Sequence, residues 1–235
     1  KRTSTDDVSG EIISEIKFPA LEISSLEGYL DLFRGKIKQR PPLISSVKIN
    51  GERAYKRYRR GEIIDTQLRN VEIYDLKLVN WCKELGLLEI KVDCSSGTYI
   101  RSIARDLGNE IGCGGCLAKL RRIQALGFDE SQAITLQQKD RGFEYFWDSL
   151  LNPIEALKHL PLLKLDNEEE LYDWSTGRKL LPAIKRIEAP ISNLSSSDSN
   201  TKKSILILYR NKIMGIGELI ENSILKPKVV FNARG

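Results

Sequence analysis

Residues 94–112 read Cys-Ser-Ser-Gly-Thr-Tyr-Ile-Arg-Ser-Ile-Ala-Arg-Asp-Leu-Gly-Asn-Glu-Ile-Gly, and the hydrophobic period changes inside this stretch. Just before it, Leu88, Ile90 and Val92 alternate with polar neighbours, the spacing of a half-buried strand. After Cys94, residues Ile100, Ile103, Ala104, Leu107 and Ile111 recur at helical spacing, which predicts one apolar stripe from about Tyr99 to Glu110. Thr98 stands where an N-cap belongs, and Gly112 where a helix stops. Ser95–Thr98 is therefore a tight strand-to-helix turn, a place where backbone N–H groups converge and the helix dipole favours anions.

Upstream, Val71, Ile73, Leu76 and Leu78 roughly follow strand spacing, and Asn80–Gly86 reads as a hairpin loop between two strands. Leu26, Leu30 and Phe33 mark a helix face that ends near Gly35. Pro41-Pro42 stops any regular element, Leu43–Ile49 reads as a short strand, and Asn50-Gly51 is a strong turn signal. Glu11–Lys17, with Ile12 and Ile16, reads as a further strand. Downstream, a second unit begins near Leu160. It has an acidic stretch at Asn167–Glu170, an apolar-aromatic run Leu171–Trp174 with a turn at Gly177, and a Ser-, Asn- and Lys-rich loop over 192–203. Ser204–Tyr209, Met214–Ile220 and Val229–Phe231 read as its strands. The expected fold class is α+β. A mixed, largely antiparallel sheet with flanking helices covers residues 1–160, and a small β-rich domain covers 161–235.

The chain has 235 residues, of which 37 are basic and 32 acidic, and its net charge of +5 is too mild to identify a nucleic-acid binder. The distribution says more. Arg53, Lys56, Arg57, Arg59 and Arg60 crowd around Tyr55 and Tyr58, and Lys119, Arg121 and Arg122 form a second cluster. Cations interleaved with aromatic rings suit RNA, since the cations meet phosphates while the rings stack on bases; a solvated charged turn is the plainer alternative. No run approaches the ~20 apolar residues of a membrane helix, and the polar start Lys1–Asp7 has no signal-peptide core. The expectation is a soluble cytoplasmic protein. The chain lacks an initiator Met and is expected to start partway through a longer product. Cys113 and Cys116 have CxxC spacing, but Cys82, Cys94 and the single His159 form no second short-spaced pair. Reduced, packed thiols and no metal are expected.

Three ordered segments carry a family resemblance: Gln39–Gly51 followed by Arg53-Ala54-Tyr55, then Cys94–Gly108, then Gly112–Arg122. Together they closely resemble the TruB-type tRNA pseudouridine synthases, and Arg2–Ile12 resembles the stretch that follows the catalytic motif in that family. Gly215-Ile216-Gly217-Glu218 and Lys226-Pro227-Lys228 look like the family's small PUA-like RNA-binding domain. The resemblance implies isomerisation of uridine 55 (tRNA numbering) in the T loop. The base is flipped out, its glycosidic bond broken, and the ring rejoined through carbon. It implies no cofactor, a tRNA T stem-loop as partner, no membrane, no obligatory protein partner, and a monomer.

The resemblance also implies site residues. Arg101 matches the active-site arginine, which holds a carboxylate ionised and oriented, and Tyr55 matches the base-stacking tyrosine; these are the catalytic candidates. Tyr99 hydrogen-bonds within the site, and Leu120 lines the uracil pocket, although plain core explains Leu120 equally well. Lys48, Arg53, Lys56, Arg57, Arg121 and Arg122 are the remaining substrate-binding candidates. The family's nucleophilic aspartate lies in a Gly-x-x-Asp-Pro-x-Ala-x-Gly segment that residues 1–235 do not contain. Asp6 and Asp7 fall in the wrong motif to replace it. These residues alone are therefore expected to be inactive, and a non-catalytic tRNA-binding module or tRNA folding chaperone is the alternative.

Overall fold

The structure is a computed structural model and describes residues 1–134, 147, 150–182, 184–188, 204–220 and 224–233. The chain divides into two compact units, Lys1–Arg121 and Arg122–Gly235. The fold is α+β and largely antiparallel, with one parallel strand pair among the described residues. The loop expected over 192–203 lies outside the described residues. Among the described residues, no helix is long and apolar enough to cross a membrane.

The first unit runs β1 (Arg2–Thr3), β2 (Ile12–Ser14), α1 (Ile23–Asp31), β3 (Gly35–Gln39), β4 (Lys48–Ile49), β5 (Glu52–Arg53), α2 (Ala54–Arg59), β6 (Arg69–Cys82), β7 (Leu87–Cys94) and α3 (Ile100–Ile111). Strands β3, β6 and β7 form an antiparallel sheet in that order. The imperfect apolar spacing along β6 has a definite cause. Ile73 pairs with Cys94 and Asp75 with Asp93, so Tyr74 is an extra residue, and Val79 is a second one between Leu78 and Asn80. Each bulge resets the alternation. Ile73, Leu76 and Leu78 thereby share a face with Val92 and Ile90, while Tyr74 and Val79 are pushed into solvent. On that face Leu30 and Phe33 meet Ile73, Leu76, Ile103 and Leu107, which makes the core a sandwich of α1 and α3 on one side of the sheet.

Helix α3 ends as expected, with Gly112 in the left-handed region at φ 86°. Its start differs. The N-cap is Tyr99, not Thr98, and no side chain caps it. The Thr98 hydroxyl instead donates to the Ser95 carbonyl, closing the turn in which Gly97 takes φ 84°. Three other expectations are shortened. The strand expected over Leu43–Ile49 is reduced to β4, because the carbonyls of residues 44–47 accept bonds from outside any ladder (below). The hairpin loop expected from Asn80 begins only after Cys82, since Asn80, Trp81 and Cys82 still pair with Glu89, Leu88 and Leu87; the Trp81 indole N–H donates to the Leu21 carbonyl. The strand expected over Glu11–Lys17 is only Ile12–Ser14, with both isoleucines exposed.

The loop after α3 folds back onto the helix where two glycines meet. A Cβ on Gly108 would lie 2.2 Å from the Gly115 nitrogen, and one on Gly115 would lie 2.0 Å from the Ala104 carbonyl oxygen. This contact seats Leu117, which pairs with Asp7 and so brings the N-terminal segment against α3.

The second unit contains the hairpin β8 (Gln124–Ala125) and β9 (Phe128–Asp129), α4 (Pro153–Ala156), β10 (Leu162–Lys164), α5 (Glu168–Ser175), β11 (Ser204–Tyr209), β12 (Lys212–Ile220) and β13 (Ile224–Val230). Its sheet has the order β10-β11-β12-β13. The acidic stretch at 167–170 is a helix start: Asn167 caps α5, and three glutamates fill the first turn, where the dipole favours them. Trp174 is fully buried among Leu163, Leu165, Leu180, Ile205, Ile207 and Leu225, and its indole N–H reaches the Met214 carbonyl at 2.8 Å. At Gly215 and Gly217 a Cβ would strike β13 first, at 2.0 Å from the Val229 carbonyl oxygen and 2.6 Å from the Leu225 side chain, and would also crowd the Trp174 ring at 3.1–3.2 Å. Strand β13 starts earlier than its apolar run suggested and ends before Phe231. Pro227 interrupts the pattern but sits on an outer strand beside a register shift, where a missing N–H is tolerated.

Two glycine substitutions are expected to have opposite signs. Gly28 lies in α1 with open space where a Cβ would stand, so Gly28→Ala gains about 0.5–1 kcal/mol in denaturant unfolding. Gly108→Ala has the same helical preference but drives a methyl into the backbone of Gly115, and loses about 1–3 kcal/mol.

Candidate functional site

The start of α3 is held by contacts that are long-range in sequence. Gln39 ends β3 with only 2% of its surface exposed, and its amide brackets Tyr99. The Nε2 donates to the Tyr99 carbonyl at 3.1 Å, and the Tyr99 N–H donates to Oε1 at 2.8 Å. The side chain thus serves as a strand partner for a residue that has left the sheet. Next, Arg101 spans two loops: Nη1 donates to the Thr5 carbonyl at 3.3 Å and Nη2 to the Ile44 carbonyl at 2.9 Å. The Ser102 hydroxyl donates to the Arg40 carbonyl at 2.8 Å. One turn further, Arg105 donates to Asp6 Oδ2 at 2.9 Å, to the Arg40 carbonyl at 2.9 Å and to Asp106 Oδ1 at 2.8 Å. Burial pushes the Asp6 carboxyl above the usual carboxylate range, against the pull of Arg105. Burial also opposes the Arg105 charge, but Asp106 and Asp6 more than offset it.

The loop between Pro42 and β4 explains how Tyr55 comes near. Four successive carbonyls are each taken: Ile44 by Arg101, Ser45 by the Tyr55 N–H at 3.2 Å, Ser46 by Arg53, and Val47 by the Ala54 N–H at 2.7 Å. Arg101 and the first turn of α2 are therefore anchored on adjacent peptides. The Ser45 hydroxyl, in a residue only 6% exposed, has no hydrogen-bond partner. Between loop and helix, Asn50 (φ 52°) and Gly51 (φ 85°) make the tight turn that pairs Lys48 with Arg53.

Tyr55 is half-buried in α2, and the Arg59 guanidinium lies 5.6 Å from its ring centre. The basic cluster is not uniformly open. Arg57 pairs with Glu62 at 2.6 Å, and Arg60 grips both Glu52 oxygens at 2.6 and 2.7 Å and also Glu62. The bonds from Arg57 and Arg60 hold the Glu62 carboxyl below its usual range. Lys48, Arg53 and Lys56 are exposed.

Leu120 is 60% exposed, so the core explanation for it fails. It lies with exposed Arg121 and Arg122 on the irregular run after Leu117. The loop thus takes the Arg101 side chain, the Arg53 side chain and the Tyr55 backbone N–H, while the Tyr99 backbone is held by Gln39. Cys113 and Cys116 are half-buried, and no group of three or more His, Cys, Asp or Glu among the described residues is placed to hold a metal.

The family profile described as "TruB family pseudouridylate synthase (N terminal domain)" matches residues 1–100, and that of the "tRNA pseudouridylate synthase B C-terminal domain" matches residues 101–157. A protein named tRNA pseudouridine synthase B from Prochlorococcus marinus (strain MIT 9313) is 45% identical over 246 aligned residues, covering 100% of this chain and 77% of that protein. The chain belongs to the TruB family of pseudouridylate synthases. A second relative of the same name, from Synechococcus sp. (strain WH7803), is 45% identical and covers 99% of this chain and 74% of its own length. Among solved structures, one titled "Crystal Structure of a Cbf5-Nop10-Gar1 Complex" aligns with 90% of this chain at a TM-score of 0.64 and 21% identity, a likeness of fold alone; the chain spans 63% of that chain's length. Within this TruB family member, Arg101 is the first residue of the second matched region.

Three participants were not read from the sequence as site-forming. In the sequence, Gln39 is only the first residue of the segment Gln39–Gly51 that carries the family resemblance. Arg105 carried a clearer signal, four residues beyond Arg101 on the same helix face. Ser102 looked like an ordinary polar helix residue. Gln39→Leu is expected to leave the Tyr99 N–H and carbonyl without partners and to cost about 2 kcal/mol or more in unfolding free energy.

Proposed function

We propose that this protein isomerises uridine 55 of the tRNA T loop to pseudouridine, with Arg101 as a catalytic residue. The supporting observation is the Arg101 guanidinium spread between the Thr5 and Ile44 carbonyls, beside the peptide that anchors Tyr55, in a TruB family chain. Those two bonds engage two of its five N–H donors, and the others suit a bidentate hold on a carboxylate. Such a pair favours the ionised nucleophile.

The target base is flipped out of the loop, at a cost of a few kcal/mol. Stacking on an aromatic ring offsets this by roughly 1–3 kcal/mol. Tyr55 is the stacking candidate, and because Arg59 covers part of its ring, a base would take the other face. Tyr99 orders the turn, while Leu120 contacts the base. Lys48, Arg53, Lys56, Arg57, Arg121 and Arg122 meet phosphates. We also propose that 161–235 is a PUA-like RNA-binding domain following a catalytic domain over 1–160, and that the protein acts as a monomer in the cytoplasm.

The test uses the full-length product of the gene that encodes this chain and a T-stem-loop RNA, with pseudouridine as the readout. Formation of pseudouridine at the T-loop uridine is expected. Salt-sensitive binding with no product would favour the binding-module reading instead. In the same protein, Arg101→Ala is expected to abolish turnover while changing RNA affinity little. Lys56→Ala is expected to weaken binding and lower its salt slope by about one unit, with turnover of bound RNA unchanged.

A further inference from the structure

Arg105 stands one helical turn beyond Arg101 on α3, and the two arginines grip the same two segments. Arg101 holds the carbonyls of Thr5 and Ile44; Arg105 holds the carboxylate of the neighbouring Asp6 and the carbonyl of Arg40. Asp6 is fixed independently. Its backbone is in the left-handed region at φ 56°, tolerated by few residues other than Gly, Asn and Asp, and its carbonyl accepts the Leu117 N–H at 3.0 Å. The Asp6 and Arg105 side chains are only 17% and 16% exposed, so removing one partner leaves the other as a largely desolvated charge.

We propose that Arg105 and Asp6 are positioning residues for Arg101: their ion pair fixes the separation of the two loops so that Thr5 and Ile44 present their carbonyls at the span of the Arg101 guanidinium. The activity readout rests on the proposed function. Asp106 also faces Arg105 and holds the guanidinium plane, but it belongs to α3 and ties no loop.

The experiment compares Arg105→Gln, Asp6→Asn, the double variant and Arg105→Lys in the full-length enzyme with a T-stem-loop RNA. Asparagine keeps the shape of Asp6 and tolerates its backbone conformation. Each single variant is expected to lower kcat about tenfold with KM nearly unchanged, and the double variant to be no worse than either, as for two halves of one device. Arg105→Lys is expected to recover part of the loss, because it keeps the charge opposite Asp6 but not the bond to Arg40. A merely stabilising pair would lower the melting temperature and leave kcat of the folded enzyme intact, and that result overturns the proposal. A second measurement decides the matter even if the wild type forms no product: exchange of the Arg101 guanidinium protons, followed by NMR, should be about tenfold faster in Asp6→Asn. Unchanged exchange overturns the proposal. Absence of wild-type product counts against the function alone.

Discussion

The arrangement of the N-terminal unit depends on one requirement, that peptide groups removed from water find partners. Between Gln39 and Tyr55 the chain has almost no ladder to supply them. The partners come from side chains on α3 and from the first turn of α2, and the Arg101 guanidinium joins three segments at once. By accepting nothing and donating to two carbonyls at once, it joins the N-terminal segment, the loop after Pro42 and the helix. Gln39 does the complementary work on the other side, satisfying both the N–H and the carbonyl of Tyr99. The functional candidates are therefore part of the scaffold, and their orientation follows from backbone satisfaction.

Elements governed by local period were legible. The stripe from Ile100 to Ile111, the stop at Gly112, the Asn50-Gly51 turn and the paired strands around residues 71–94 all follow from spacing and from residues suited to positive φ. Legibility failed where a distant partner overrode the local preference. Leu43–Ile49 has strand composition, yet its carbonyls face α2 and α3. Thr98 has the chemistry of a cap, yet Ser95 takes its hydroxyl and Gln39 takes the peptide at the helix start. A single sequence names the residues that can make these bonds without saying which segment will arrive beside them. The site shows the same division: Arg101 was identified by its motif, whereas its partnership with Thr5 and Ile44 is a product of the fold.

In the second unit the limiting quantity is space. Trp174 is the largest side chain in its core, and a tryptophan buried there must have its N–H satisfied and its ring accommodated. Strand β12 does both, offering the Met214 carbonyl and then two positions without side chains. The Gly-Ile-Gly-Glu run, notable at first as a family signature, is thus a place where β13 and the Trp174 ring both press against a strand at two positions without side chains.

The pairing of Arg60 with Glu52 and of Arg57 with Glu62 changes what the basic helix α2 offers to a polyanion. A phosphate approaching these arginines competes with carboxylates already in place, so contact becomes an exchange of anions, with less release of bound counterions than bare arginines would give. Added salt weakens the internal pairs together with the external ones, and the two effects oppose each other. These paired arginines therefore form a buffered cationic surface, whose pull on any polyanion would vary less with ionic strength than their number suggests.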